Sequence, residues 1–138
     1  MILFINTSKT DLIQLKLISK NQVIGVLDSH KQFRQSELLL PMIDKLLTNN
    51  KVKLSQLKYL AVVTGPGAFS ALRLGIATAN AIAWALKLPI IEFDSTEIEM
   101  GDQELADFIC QKAKLIKKFR PAIPQYGKEP NITTPKKN

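Results

Sequence analysis

A strand, a glycine turn and a long helix follow one another in the middle of the chain, and this order constrains the fold more than any other feature. Residues 58–64, KYLAVVT, form an almost continuous apolar run, typical of a strand at the buried centre of a sheet. The turn after it consists of Thr64, Gly65, Pro66 and Gly67. A helix then ends near Lys87, and Pro89 begins a second apolar strand, PIIEF. Because a strand, helix, strand unit forms a right-handed crossover between parallel strands, the sequence predicts an α/β fold.

The first part of the chain predicts an antiparallel extension of that sheet. Residues 1–6 are apolar, residues 12–18 alternate apolar and polar side chains, and residues 22–28 supply a third strand after a polar turn. These three segments form a meander. Together with the crossover unit they predict a five-stranded mixed sheet.

Two helices carry more apolar surface than one small sheet can bury. The first runs from Ser36, its expected cap, to about Thr48, with Pro41 as a kink or as its true start, and the second runs from Phe69 to Lys87. A helix on a sheet needs an apolar stripe only a little wider than about 100°. We therefore predict that both helices contact a partner, unless the C-terminal helix or tail covers them. The predicted interface consists of Leu39, Met42, Ile43, Leu46, Phe69, Ala71, Leu72, Arg73, Gly75, Ile76, Ala79, Asn80, Ala83 and Trp84.

Positive charge is concentrated near the C-terminus. Residues 1–110 hold eleven Lys or Arg against eleven Asp or Glu, whereas residues 111–138 hold eight against one. We expect a helix within residues 97–120, capped by Asp102, and a proline-rich basic tail over residues 121–138. The apolar stripe of that helix consists of Leu105, Phe108, Ile109, Ile116 and Phe119. Such a basic end can attract a polyanion, and a solvated end that only aids solubility stays open as the alternative.

Composition predicts one ordinary globular domain. The chain has 138 residues, 46% of them hydrophobic, and no apolar run approaches the roughly 20 residues that span a bilayer, so no membrane segment is expected. Strand-like sequence begins at Ile2 without a basic leader, and the single Cys110 cannot form an internal disulfide. Both features favour a cytoplasmic location.

The sequence shows no residue pattern typical of a metal or cofactor site, and we expect neither. His30 and Cys110 lie far apart in sequence, with no cluster of carboxylates beside either. The glycine turn lacks the Lys-Ser/Thr ending of a Walker phosphate loop and the third glycine of a dinucleotide fingerprint. Two glycines before a helix can still accept an anion, so a phosphate cradle and a tight packing joint both remain open.

Four segments carry a resemblance to a known family: ILFINTS, QSELLLPMIDKLL, VVTGPGAFSALRLGIATANAIAWAL and QYGKEPNITTPKK. They resemble the bacterial TsaB (YeaZ) proteins over about residues 1–96 and again in the tail. The central segment is similar to that family's GPGSFTGLRIG signature, with Ala68, Ser70 and Ala71 where Ser, Thr and Gly are usual. A looser form of the signature occurs in the paralogous TsaD.

The resemblance implies a single N-terminal lobe, residues 1–96, of the actin, sugar kinase and Hsp70 (ASKHA, ribonuclease H-like) fold, with the helix of residues 97–120 in place of a second lobe. It implies a non-catalytic scaffold in tRNA threonylcarbamoyladenosine modification, paired with itself or with TsaD through its two helices. TsaD performs the transfer and TsaE is an ATPase. No membrane partner is implied. Contact with tRNA would use the basic residues Lys112, Lys114, Lys117, Lys118 and Arg120.

Two positions depart from the pattern of the family. Asn6 replaces the usual Asp of the first strand, and an amide coordinates a metal weakly and cannot act as a base. Gln35 replaces a usual His. A nucleotide-binding hydrolase or a peptidase-like enzyme of the same fold stays the alternative from another functional class.

Overall fold

The computed structural model describes residues 1–125 and shows a five-stranded sheet with helices on both faces. The strands are β1 (Ile2–Asn6), β2 (Ile13–Ser19), β3 (Gln22–Ser29), β4 (Tyr59–Gly65) and β5 (Ile90–Asp94). The α-helices are α1 (Gln35–Asn49), α2 (Phe69–Leu86) and α3 (Asp102–Ala113), and a short 3₁₀ turn spans Leu54–Gln56.

The strand order β3-β2-β1-β4-β5 confirms the predicted mixed sheet. The meander pairs β1 with β2 and β2 with β3 in antiparallel fashion, whereas β1 pairs with β4, and β4 with β5, in parallel. The predicted crossover through α2 therefore joins two neighbouring parallel strands, β4 and β5.

Side chains of β1 divide the core into two layers. Leu3 and Ile5 pack under α1 and α2, while Ile2 and Phe4 pack under α3 on the other face. Every residue of β1 is buried, which explains why this strand is apolar throughout rather than alternating. A fully buried side chain of this size contributes about 1.5–3 kcal/mol.

The start of α1 differs from the sequence prediction. The helix begins at Gln35, so Ser36 lies inside it and is not its cap. Gln35 is buried instead, and its Nε2 donates a hydrogen bond to the carbonyl of Lys9 at 2.9 Å. Pro41 is accommodated within the helix on the exposed side, where water can reach the carbonyl that loses its helical donor.

The apolar helix α2 qualifies by length and composition alone as a membrane-spanning segment, which the sequence prediction overlooked. Its 18 residues have a mean hydropathy of 1.3. Its inner side, however, packs on the sheet through Leu72, Ile76 and Ala79, as the core helix of a globular protein does.

The third helix is shorter than expected. It ends at Ala113, so Ile116 and Phe119 of the predicted stripe lie beyond it, and Asp102 is its first residue rather than its cap. Residues 114–125, here called the C-terminal segment, leave the α3 face and reach the α2 face. Ile116 still packs with the core under α3, whereas Phe119 and Ala122 pack with the core under α2. Residues 126–138, with the rest of the predicted tail, lie outside the described part of the chain.

An ion pair fixes α3 on the sheet, and its removal is a test of the fold. Lys16 on β2 is buried, and its Nζ lies 2.6 Å from Oδ1 of Asp102. Asp102→Ala leaves that ammonium without a carboxylate, and we expect the free energy of unfolding to fall by about 1–3 kcal/mol in urea denaturation. Adding Lys16→Met should restore most of the loss, because a buried apolar chain needs no partner.

The matched control for this pair is Glu104→Ala, another acid in the first turn of α3. It removes the favourable charge at the helix start and the weak hydrogen bond that Glu104 Oε1 accepts from the Gly101 N–H at 3.4 Å, together worth about 1 kcal/mol. If Asp102→Ala costs no more than Glu104→Ala, the ion pair does not fix the helix.

Candidate functional site

The glycine turn is a packing joint between β4, α2 and the end of β1. A Cβ on Gly67 would overlap the carbonyl oxygen of Ser8, and the same oxygen accepts a hydrogen bond from the Ala68 N–H at 2.8 Å. Gly65 has φ +126°, a backbone conformation that other residues rarely adopt, and a Cβ there would overlap the carbonyl of Gln125. Both glycines are therefore required by close backbone contacts.

The small side chains of α2 continue this joint. Thr7 Oγ1 donates a hydrogen bond to the Ala71 carbonyl at 2.7 Å, and a Cβ on Gly75 would overlap the same hydroxyl. The face that the sequence assigned to a partner thus packs on the residues that follow β1. Ala71 and Gly75 are corrected from partner contacts to contacts within the chain.

Polar groups from three strand ends surround a cavity of about 400 Å³. Its lining includes Asn6 at the end of β1, Ser8 just after that strand, Gly67 in the turn, and Ser95 after β5. The Asn6 amide is already engaged, since its oxygen accepts the Ser8 N–H at 3.0 Å and its nitrogen donates to Gln14 at 3.3 Å. Across residues 1–125, no group of three or more His, Cys, Asp or Glu is placed to hold a metal ion.

Hydrogen bonds join the glycine turn and the end of β4 to the end of β5. Thr64 Oγ1 donates to the Phe93 carbonyl at 3.3 Å, and the Ser95 hydroxyl donates to the Pro66 carbonyl at 2.7 Å. The pKa of Asp94 is lowered by the hydroxyl of Thr96 and then by its backbone N–H. The turn is thereby held to β5 as well as to β1.

Most of the predicted interface belongs to the core of this chain. Nine of the residues are buried within the chain and pack in its own core: Leu39, Ile43, Leu46, Ala71, Leu72, Gly75, Ile76, Ala79 and Ala83. Met42 is half-buried, whereas Phe69, Arg73 and Trp84 are exposed. The Arg73 guanidinium lies 5.3 Å from the centre of the Phe69 ring.

The outer sides of α1 and α2 expose residues that the predicted interface did not include. Leu40 of α1 is 62% exposed, and Ala77 and Ala81 of α2 are exposed one turn apart. Both helices lie on one face of the sheet and contact each other. Periodicity alone could not find this side, because α2 is apolar around its whole circumference.

The C-terminal segment covers part of α2. Asn80 donates to the Ala122 carbonyl at 3.1 Å and accepts the Ala122 N–H at 2.7 Å, so one amide pairs with both backbone groups. Gln125 donates its backbone N–H to the Thr64 carbonyl at 2.7 Å. The predicted alternative, cover by the chain itself, is therefore realised around Asn80, while α3 lies on the opposite face.

One of the five basic residues predicted to contact tRNA instead makes contacts within the chain. Lys112 Nζ donates to the Glu92 carbonyl at 3.0 Å and lies 4.5 Å from the centre of the Phe93 ring. The remaining four are exposed: Lys114, Lys117, Lys118 and Arg120. Burial raises the pKa of Glu92, opposed by a backbone hydrogen bond from Ile123 and by the charge of Lys112.

Comparison with known proteins places this geometry in a family. The family model described as TsaD, tRNA N6-adenosine threonylcarbamoyltransferase, matches residues 13–105. The solved structure of YeaZ from Pseudomonas aeruginosa superposes with a TM-score of 0.63 at 27% identity, covering 67% of this chain and 44% of that one. The chain belongs to the TsaD/TsaB (YeaZ) family. The sheet and helices are accordingly those of the ASKHA-like fold.

Relatives of both kinds within this family are similar to the chain. A tRNA N6-adenosine threonylcarbamoyltransferase of Protochlamydia amoebophila is 35% identical over 95 residues, covering 62% of this chain and 28% of the relative. A tRNA threonylcarbamoyladenosine biosynthesis protein TsaB of Buchnera aphidicola is 35% identical over 81 residues, covering 59% and 39%. The chain therefore spans between about a quarter and two fifths of the length of these relatives.

The packing joint of this TsaB-like chain predicts how substitutions in α2 act. Gly75→Leu would force a side chain against Thr7, and we expect the free energy of unfolding to fall by about 1–3 kcal/mol. Ala77→Leu, two residues away on the exposed side, should change it by no more than about 0.5 kcal/mol. Urea denaturation of both variants compares them, and equal stability would contradict the assignment of Gly75 to the joint.

Proposed function

We propose that this chain acts in the threonylcarbamoyladenosine modification of tRNA as a non-catalytic scaffold that pairs with a TsaD-like subunit. The pairing uses the outer sides of α1 and α2. The exposed outer side of these two helices, in a chain of this family, is the observation that carries the proposal.

The composition of that outer side supports a helical partner. Leu40 is 62% exposed and Phe69 is 53% exposed, and both are large apolar side chains. Between the ends of α2, Ala77 and Ala81 leave a shallow surface to which another helix can approach closely. Large apolar side chains and small residues exposed on the same two helices suit a packed helix interface better than contact with water.

The state of Asn6 supports a role without catalysis. Carboxylates and waters are the usual ligands of Mg²⁺, and an amide at this position neither carries a charge nor accepts a proton. The amide is 4% exposed and is bonded to Ser8 and Gln14, so it serves the packing of the strand end. The scaffold therefore leaves the transfer reaction to its partner.

Two further associations complete the proposal. A TsaE-like ATPase joins the pair as a third subunit, and the chain forms a homodimer through the same helices when its partner is missing. Both follow from the resemblance to TsaB.

Substitution on the outer side of α2 tests the pairing. Ala81→Arg places a long charged side chain where a partner helix must approach, so the dissociation constant for the TsaD-like subunit of the same cell should rise at least about tenfold. Size-exclusion chromatography with light scattering and calorimetric titration measure the complex. The stability of the variant should stay within about 0.5 kcal/mol, because Ala81 is exposed.

The matched control is Gln111→Arg, which adds the same side chain on the exposed side of α3, across the sheet. It should pair normally. Equal affinity of the two variants would show that the partner does not use α2. Saturable ATP turnover by the purified chain, lost in Asn6→Ala, would instead support the nucleotide hydrolase.

A further inference from the structure

An exposed aromatic ring at the end of α2 lies beside a basic part of the C-terminal segment. Trp84 is the only tryptophan of the chain, and it is 72% exposed. Together with Lys87, Lys117 and Lys118 it lines a cavity of about 510 Å³. A large ring so open to water, next to three cations, is not explained by packing within the chain.

A second cavity continues the basic surface. Lys117 and Lys118 also line a space of about 640 Å³, to which Arg120 contributes from the same segment. Among the described residues, no acidic side chain lines the first cavity, and Glu92 is the single acid lining the second. Four cations and one aromatic face are thus gathered at one edge of the molecule.

Lys87 follows α2 in the left-handed conformation, with φ 60°, which favours glycine. Lys20 and Lys51 share such a positive φ, so the conformation alone does not mark Lys87 as a binding residue. Glycine is therefore a replacement that removes the charge of Lys87 without straining the backbone.

We propose that Trp84, Lys87, Lys117 and Lys118 form a binding site for single-stranded RNA, with one unpaired base stacked on the indole and neighbouring phosphates on the lysines. Arg120 extends the phosphate track. The proposal rests on the proposed function, because a tRNA substrate supplies such unpaired nucleotides in its loops.

The chemistry of the site favours RNA over an acidic polypeptide. Both are polyanions that lysines attract, but only a nucleic acid brings a flat aromatic face for each charge, and stacking between a base and an aromatic side chain is the usual means of holding single strands. A double helix hides its bases, so it would leave Trp84 without a partner.

This RNA site borders the proposed protein interface. Trp84 lies three residues from Ala81, or about 4.5 Å along α2 at the helical rise of about 1.5 Å per residue. The lysines that complete the RNA site lie beyond this point, at the end of α2 and in the C-terminal segment.

The intrinsic fluorescence of Trp84 provides a direct test. We expect titration of the full chain with polyuridylate, or with an unmodified tRNA transcript, to quench the signal saturably. Polyglutamate of matched charge and a blunt RNA duplex should quench it much less. Log affinity should fall with log salt by about 0.7 for each phosphate engaged.

Variants separate stacking from charge, with binding measured by the anisotropy of labelled RNA. Trp84→Ala should weaken binding by about five- to 150-fold, while Trp84→Phe keeps most of it. Lys118→Glu should weaken binding about tenfold, whereas Lys31→Glu, an equal charge change just past β3, should not. Lys87→Gly should weaken binding while thermal stability stays equal or rises.

The outcomes distinguish this inference from the proposed function. Unchanged fluorescence with tRNA, equal binding by Trp84→Ala and wild type, or equal quenching by polyglutamate and polyuridylate would each overturn the RNA site. If the chain still pairs with the TsaD-like subunit, the proposed function survives that result. Specific quenching without any pairing would support the RNA site and remove the scaffold.

Discussion

The fit of α2 against the end of β1 is the contact on which the rest of the structure depends. Gly67 and Gly75 bring the helix backbone onto Ser8 and Thr7 with no space for a side chain. The hydroxyl of Thr7 then bonds the Ala71 carbonyl, so the strand end and the first turns of the helix form one rigid unit. The glycines of the turn are explained by this packing, and a phosphate cradle is not needed to account for them.

Patterns of neighbouring residues predict the five strands and three helices because each depends on local periodicity. The continuous apolar run of β4 and the alternation in β2 require no knowledge of distant contacts. The orientation of α2 is different. Ala71 and Ala77 look alike in the sequence, and only Thr7, 64 residues away from Ala71 along the chain, shows which of them faces the core.

The end of α3 could not be predicted from the local sequence either, for another reason. Ile116 and Phe119 have the spacing of a helical stripe after Ile109, yet the chain leaves the helix at Ala113. Ending the helix at this point is stabilised by contacts distant in sequence, because Phe119 and Ala122 fill the core under α2 and Asn80 pairs with the Ala122 backbone. Local helix propensity could not predict that packing on the opposite face of the sheet would compete with continuation of the helix.

Because α2 is fixed in this way, each of its sides has a different role. The inner side of α2 is occupied by the sheet, and the outer side around Ala81 remains open to another helix. The C-terminal end of α2 lies beside the basic C-terminal segment, because Asn80 holds that segment and brings Lys117 and Lys118 next to Trp84. The Asn80 amide therefore links the two proposals, because it lies on α2 between them and, together with the packing of Phe119 and Ala122, holds the basic segment beside the indole.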